Sequence, residues 1–377
     1  MFGLRTVRLG RPFGISLEAD VSWFLMVFFV AAMLTTSYLP AQVPDHSTSY
    51  YVFTGLVTAL AFFAALVLHE LAHSVVARAM GMKISRITLF LFGGASQMDE
   101  EPSTPGQEFL MAVAGPASSL VIAGVCWITA TGLTLAGVTA AATVPLEYLT
   151  FINLMLAVFN LLPGFPLDGG RVLRAIIWAI TKDFLRATKW ASRVGQGLGV
   201  LLVGVAVVGV LMGTFDLLWF AAMGWFVAVL AAASYQQELM RSQLSKVPLS
   251  RVMSSPVLFA SGDLTLEDLV HSYFLGGRHR RHPVVKDGHV VGLIDVDRAR
   301  EVPRSEWPAT PVADVAFTDL ARIIEAPDRP VSTVLTRLEP GGPGAILIVD
   351  GGRLAGIVTR SDIISLMREQ SAKSQPL

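Results

Sequence analysis

Apolar residues in this chain gather in blocks of about twenty, the length a helix needs to cross a bilayer core of about 30 Å. Six such blocks are legible, at about residues 21–39, 53–80, 109–131, 145–162, 194–213 and 217–235. Between the second and third, residues 83–96 are rich in β-formers, broken by Gly93-Gly94, and too short to span as a helix. They predict a hairpin or re-entrant loop. Residues 1–20 read as a basic lead-in with Arg5, Arg8 and Arg11, and residues 163–193 as a polar loop. The first block reads as a retained anchor, because TTSYLP after it is no convincing cleavage site. From about Val247 the blocks give way to short apolar runs separated by charges and turns, a soluble pattern. The predicted fold is therefore a multi-pass α-helical membrane protein, six transmembrane helices with a membrane-associated β-hairpin, followed by a soluble α/β pair. Predicted domains are 1–240 and 241–377.

Composition agrees. The chain is 53% hydrophobic and 15% charged, against about 25% charged in soluble proteins. More than half of its charges follow Ser242. A net charge of zero gives no support to nucleic-acid binding, and the lone Cys126 excludes a disulfide framework. Loops at 40–52, 132–144 and 213–216 lack Lys and Arg, whereas the N-terminus and the loops at 81–108 and 164–193 carry several. By the positive-inside rule both termini and the soluble tail are expected in the cytoplasm.

Chemistry enters at Leu68-His69-Glu70-Leu71-Ala72-His73, an HExxH inside the second block. On a helix His69 and His73 share a face about one turn apart, and Glu70 lies about 100° round from His69. Two imidazoles can ligate zinc while the carboxylate takes a proton from water at the open position. The alternative is a helix whose His and Glu only bond to their neighbours. Against it stands the cost of an ionisable residue in lipid, roughly 2.5–3.5 kcal/mol each.

A hydrolytic zinc site needs a third protein ligand. Asp168, in Asn160-Leu161-Leu162-Pro163-Gly164-Phe165-Pro166-Leu167-Asp168-Gly169-Gly170-Arg171, falls at the predicted membrane face of His73. It could equally cap a following helix.

Together HELAH, the Asn-x-x-Pro…Leu-Asp-Gly-Gly element and Gly115-Pro116-Ala117-Ser118-Ser119 resemble the site-2 protease family of intramembrane zinc metalloproteases, over about residues 1–235. The resemblance implies Zn2+ held by His69, His73 and Asp168, with Glu70 as general base and then acid. It implies that Asn160 hydrogen-bonds near the scissile peptide, and that the Gly93-Gly94 hairpin offers an edge to an unwound membrane-spanning substrate. Satisfying loose backbone groups is the other role open to Asn160, and a plain turn the other reading of the glycines.

In the tail, about residues 248–300 and 311–367 repeat one α/β phrase. They resemble a tandem of cystathionine-β-synthase-type (CBS) modules, which implies adenine nucleotide (ATP, ADP or AMP) binding and a homodimer through these domains. Gly356, Thr359 and Asp362 match the family's nucleotide phrase, although the last two could simply cap a helix. The first copy departs, with Asp295 at the Thr position and Arg298 at the Asp position, so at most one standard site is expected. Arg278-His279-Arg280-Arg281-His282 reads as a solvated basic loop that could also meet phosphates or lipid head groups. Two rival functions follow from the same residues: a CBS-gated metal or ion transporter, and a silent membrane scaffold.

Overall fold

The computed structural model describes residues 6–82, 84–90, 93–98, 102–275, 279–338 and 342–374. Lys83, Leu91 and Phe92 of the expected hairpin, and Arg278 of the basic cluster, lie outside the described residues. The chain divides into two compact units, Met1–Glu238 and Leu239–Leu377.

Among the described residues six helices are long and apolar enough to cross a membrane: α1 (Val21–Gln42), α2 (Thr48–Ala79), α3 (Pro105–Leu135), α4 (Ala140–Asn160), α6 (Phe184–Leu211) and α7 (Phe215–Leu244). Their outward faces carry Phe28, Phe53, Trp127, Ile128, Val200 and Leu211, each more than half exposed. Apolar surface on that scale has lipid, not water, as its solvent; this is a membrane protein. Helix starts follow local chemistry. Asp20 accepts from Ser22 N (2.8 Å) and Ser47 from Tyr50 N (3.2 Å). Thr104 accepts from Gln107 N (3.3 Å), while Gln107 Oε1 accepts from Ser103 N. These side chains satisfy N–H groups that the first turn leaves open. Pro163 keeps α4 from running on.

Two sequence expectations need correction. Residues 163–193 are not simply a loop: α5 (Asp168–Thr181) is a helix of 14 residues, about 21 Å long and too short to span. Its charges, Arg171 and Arg174, sit among Val172, Ala175 and Ile177, an amphipathic mixture that composition alone reads as polar. Nor is residues 6–20 a mere lead-in. β1 (Thr6–Gly10) and β2 (Ser16–Asp20) pair antiparallel, the alternation of Val7 and Leu9 with polar neighbours having the strand period.

The hairpin itself is present, as β3 (Ile84–Phe90) against β4 (Gly93–Met98), but it is half of a four-stranded sheet ordered β1-β2-β3-β4. β2 runs parallel to β3, with Leu17 opposite Ile87. Ile15, Leu17, Ile87 and Leu89 bury against Leu71 and Ala77 of α2 and Met111 of α3, which sets the sheet beside the HExxH helix.

The second unit holds two similar sheets. In one, β5 (Ala260–Ser261) runs parallel to β6 (Arg281–Lys286), which forms an antiparallel hairpin with β7 (His289–Asp295). In the other, β8 (Ile324–Glu325) runs parallel to β9 (Ala345–Asp350), which pairs with β10 (Arg353–Thr359). α8 (Val296–Glu301) follows β7 and α9 (Arg360–Ser374) follows β10. His282 departs from the solvated-loop reading: it lies within β6, 2% exposed, with its Nδ1–H donating to Leu258 O at 3.3 Å.

Candidate metal centre

His69 and His73 project from one face of α2, and Asp168, the first residue of α5 and 99 residues beyond His69, meets them. Asp168 Oδ2 lies 3.2 Å from both Nε2 atoms, which are 3.3 Å from each other. The capping reading of Asp168 fails here. Leu167 is the N-cap and makes no side-chain cap bond; the carboxylate turns to the histidines instead.

The far side of each imidazole is tied. His73 Nδ1 lies 2.7 Å from the Met111 carbonyl, an acceptor only, so Nδ1 carries the proton and the neutral ring's Nε2 bears a lone pair. His69 Nδ1 pairs with Ser119 Oγ at 2.9 Å. Both partners lie on α3, so one helix sets the orientation of both rings, as outer-shell partners of metal histidines do. Electron-rich atoms thus converge at van der Waals distance with no proton to share between His73 Nε2 and the carboxylate, an arrangement that a cation relieves. The dimensions fit zinc. With bonds of about 2.0–2.1 Å, tetrahedral ligand atoms sit about 3.3–3.4 Å apart.

Glycines make the approach possible. A Cβ on Gly115 would stand 2.6 Å from His69 Nε2 and closer still to His73 Nε2, so α3 can cross here only without a side chain. At the Asp-Gly-Gly turn, a Cβ on Gly169 or Gly170 would strike the backbone of Leu161–Phe165. The two glycines let α5 start directly against the end of α4.

The centre opens on a cavity of about 810 Å³. Glu70 and Arg171 line it beside the three candidate ligands, and its walls are apolar, with Leu202 of α6 and Trp219 and Phe226 of α7 among them. Asn160 also lines it, and its amide donates to Leu156 O at 2.9 Å, one turn back on its own helix. Ile84 and Phe90 bring β3 to the cavity; Gly93 and Gly94 begin β4, the strand at the sheet's edge.

The residues that sequence reasoning missed are the supports. Ser119 stood inside the Gly115–Ser119 motif with no role attached, and a backbone carbonyl such as that of Met111 has no sequence signal. Glu108 of α3 and Arg174 of α5 form a buried ion pair, Arg174 Nε to Glu108 Oε1 2.6 Å. The Arg174 guanidinium also lies over Phe165 and Phe184, at 5.0 and 4.5 Å.

In the second unit, Asp362 accepts from Thr359 N (2.8 Å), Thr359 Oγ1 (2.6 Å) and Ser254 Oγ (3.1 Å). That is a turn-and-cap arrangement at the start of α9. Gly356 faces the Met253 side chain.

Comparison with known proteins accords with this geometry. The description of peptidase family M50 matches residues 57–142 and 134–202, and that of the CBS domain matches 249–303 and 312–369. Rip3 of Mycobacterium tuberculosis is 35% identical over 370 residues, covering 96% of this chain and 92% of Rip3. A zinc metalloprotease of Methanocaldococcus jannaschii is 27% identical over 367 residues, 96% of each chain. The solved site-2 protease from Methanocaldococcus jannaschii shares 28% identity over 61% of this chain and 95% of its own, with a TM-score of 0.41. The chain belongs to peptidase family M50, the site-2 protease family, and is a zinc metalloprotease with a C-terminal tandem of CBS domains.

Proposed function

We propose that this enzyme hydrolyses a peptide bond in the membrane-spanning part of a protein substrate, with His69, His73 and Asp168 holding one zinc ion and Glu70 moving the protons. The observation that carries the reading is the convergence of three ligand atoms at 3.2–3.3 Å on the wall of an apolar cavity that Glu70 also lines. Bound there, zinc supplies Lewis acidity and lowers the pKa of water toward about 7. Glu70 takes the proton from the attacking water and returns it to the departing amine nitrogen. Met111 and Ser119 keep the imidazoles aimed. Asn160, held at one end by Leu156 O, presents the rest of its amide toward the substrate backbone. An unwound substrate adds to the free edge of β4, beginning at Gly93 and Gly94, by main-chain hydrogen bonds.

The asymmetry of Lys and Arg supports an orientation with both termini and the CBS tandem in the cytoplasm. The tandem is proposed to regulate the protease, taking adenine nucleotide at Gly356, Thr359 and Asp362 and pairing two copies of the chain. The test is incubation of purified protein with a panel of single-span membrane proteins, with and without ATP and a chelator. Cleavage that a chelator stops and Glu70→Gln abolishes is expected. Zinc flux into liposomes without any cleavage would replace the protease reading by the transporter.

A further inference from the structure

The helix α6 (Phe184–Leu211) begins before its apolar part does. Residues 194–211 carry no charge and run about 27 Å, close to the thickness of a bilayer core. The turns before them hold Arg186, Lys189, Trp190 and Arg193. We propose that these four residues bind the head group of an anionic phospholipid whose chains lie along the exposed strip of α6 beyond them. The inference rests neither on the protease chemistry nor on the CBS tandem.

Three observations carry it. The first is alignment. At 100° per residue the four side chains fall within about 100° of one another, and Val194, Gly197, Val200 and Leu201 continue the same face. Arg186, Trp190 and Arg193 are exposed and Lys189 is half-buried. Val200 and Leu201 are each more than half exposed, and a Cβ on Gly197 would meet nothing within 4 Å. A charged patch thus sits directly above an open apolar strip, the outline of one lipid molecule. Membrane orientation asks only for Lys and Arg somewhere in a loop; a single helix face is a stricter pattern.

The second is depth. Arg193 and Lys189 lie about 1.5 and 7.5 Å beyond the start of the apolar stretch, at 1.5 Å per residue. A head-group layer is about 5–8 Å thick on each side of the core, so both cations stand at its level. Trp190 stands there too, where indoles favour the membrane interface. The Arg193 guanidinium lies over its ring, 5.5 Å from the centroid, which limits the freedom an anion would have to freeze out.

The third is uncompensated charge. Among the described residues none of the three cations has an ion-pair partner. The nearest acid along the chain, Asp183, caps α6, its Oδ1 accepting from Arg186 N at 2.9 Å. Arg186 also occupies the first turn, where the helix's own partial positive charge disfavours a cation. An anion from the membrane relieves both conditions.

Full-length protein in detergent, at about 0.15 M salt to screen diffuse attraction, is titrated with phosphatidylglycerol or with phosphatidylcholine of the same acyl chains, and bound lipid is counted by native mass spectrometry. Saturable binding of phosphatidylglycerol is expected, at least about tenfold tighter than that of phosphatidylcholine. The triple variant Arg186→Gln/Lys189→Gln/Arg193→Gln is expected to lose that preference. The double variant Arg186→Lys/Arg193→Lys keeps the charge and is expected to retain it. Arg251→Gln/Arg353→Gln/Arg360→Gln removes as many exposed charges from the second unit and is expected to leave it unchanged. Equal binding of the two lipids, equal losses in the two glutamine triples, or a lysine variant as weak as the first triple overturns the proposal. So does displacement of the lipid by excess inorganic phosphate, which would make the patch a site for a free anion.

Discussion

Glu108 and Arg174 meet inside the first unit across 66 residues of sequence, with the carboxylate 0% exposed and the guanidinium side chain 11%. Glu108 stands three residues before Met111, which orients His73, and Arg174 stands six residues after Asp168. The pair therefore joins the helix that aims the imidazoles to the helix that carries the third ligand. Glu108→Gln or Arg174→Met alone breaks this buried ion pair and is expected to cost about 3–5 kcal/mol. The double variant Glu108→Met/Arg174→Met is expected to recover much of that loss. Chemical unfolding in micelles measures both. A loss under about 1 kcal/mol for either single change would rank the pair with exposed ion pairs.

Gly115 is expected to tolerate no side chain. Gly115→Ala puts a methyl carbon against both Nε2 atoms, so the purified variant should carry little zinc by atomic spectroscopy while keeping its helical circular dichroism. Ser119→Ala removes only the tether on His69 and should weaken zinc by about 10–100-fold without eliminating it. Equal zinc content in wild type and Gly115→Ala would mean that the ion sits elsewhere.

Acid is expected to loosen the first CBS copy through His282. Burial holds this imidazole below its ordinary value of 6.5, and its Nε2 has no partner among the described residues. The folded state therefore favours the neutral ring. That contribution is complete above about pH 6.5, where the unfolded chain is also neutral, and is lost as the pH falls from there through the lower folded value. Protection from hydrogen exchange across β6 and β7 in the full-length protein, corrected for the intrinsic pH dependence of exchange, should fall more between pH 7.5 and 5.5 than protection in β9 and β10. His282→Phe should remove the difference; an unchanged difference in that variant would assign it to another group.

How much of this was legible depended on distance along the chain. The six spans announce themselves because twenty apolar residues in a row have no other solution, and HExxH because both histidines sit on one turn of one helix. Asp168 was found through chemistry, the need for a third ligand, and its alternative as a cap could be dismissed only when Leu167 took that place. α5 was hidden because Arg171 and Arg174 made its sequence look like a polar loop; Arg174 in fact turns inward to Glu108. The strands at Thr6–Gly10 and Ser16–Asp20 were hidden by their charges, Arg8, Glu18 and Asp20, and by the apolar block that follows. His282 read as one more charge in a basic run, and only the register of β6 puts it inside. Arg174 and His282 are polar residues whose partners, Glu108 and Leu258, lie 66 and 24 residues away, and sequence periodicity carries no record of such partners.

The central claim is that two imidazoles of α2 and the carboxylate opening α5 bind one zinc ion. X-ray absorption at the zinc edge of the loaded protein tests it most directly. The account expects two imidazole nitrogens with oxygen neighbours at about 2.0–2.2 Å, and a changed first shell with weakened zinc retention in Asp168→Ala. A zinc spectrum without imidazole scattering, or one that Asp168→Ala leaves unaltered, would contradict it.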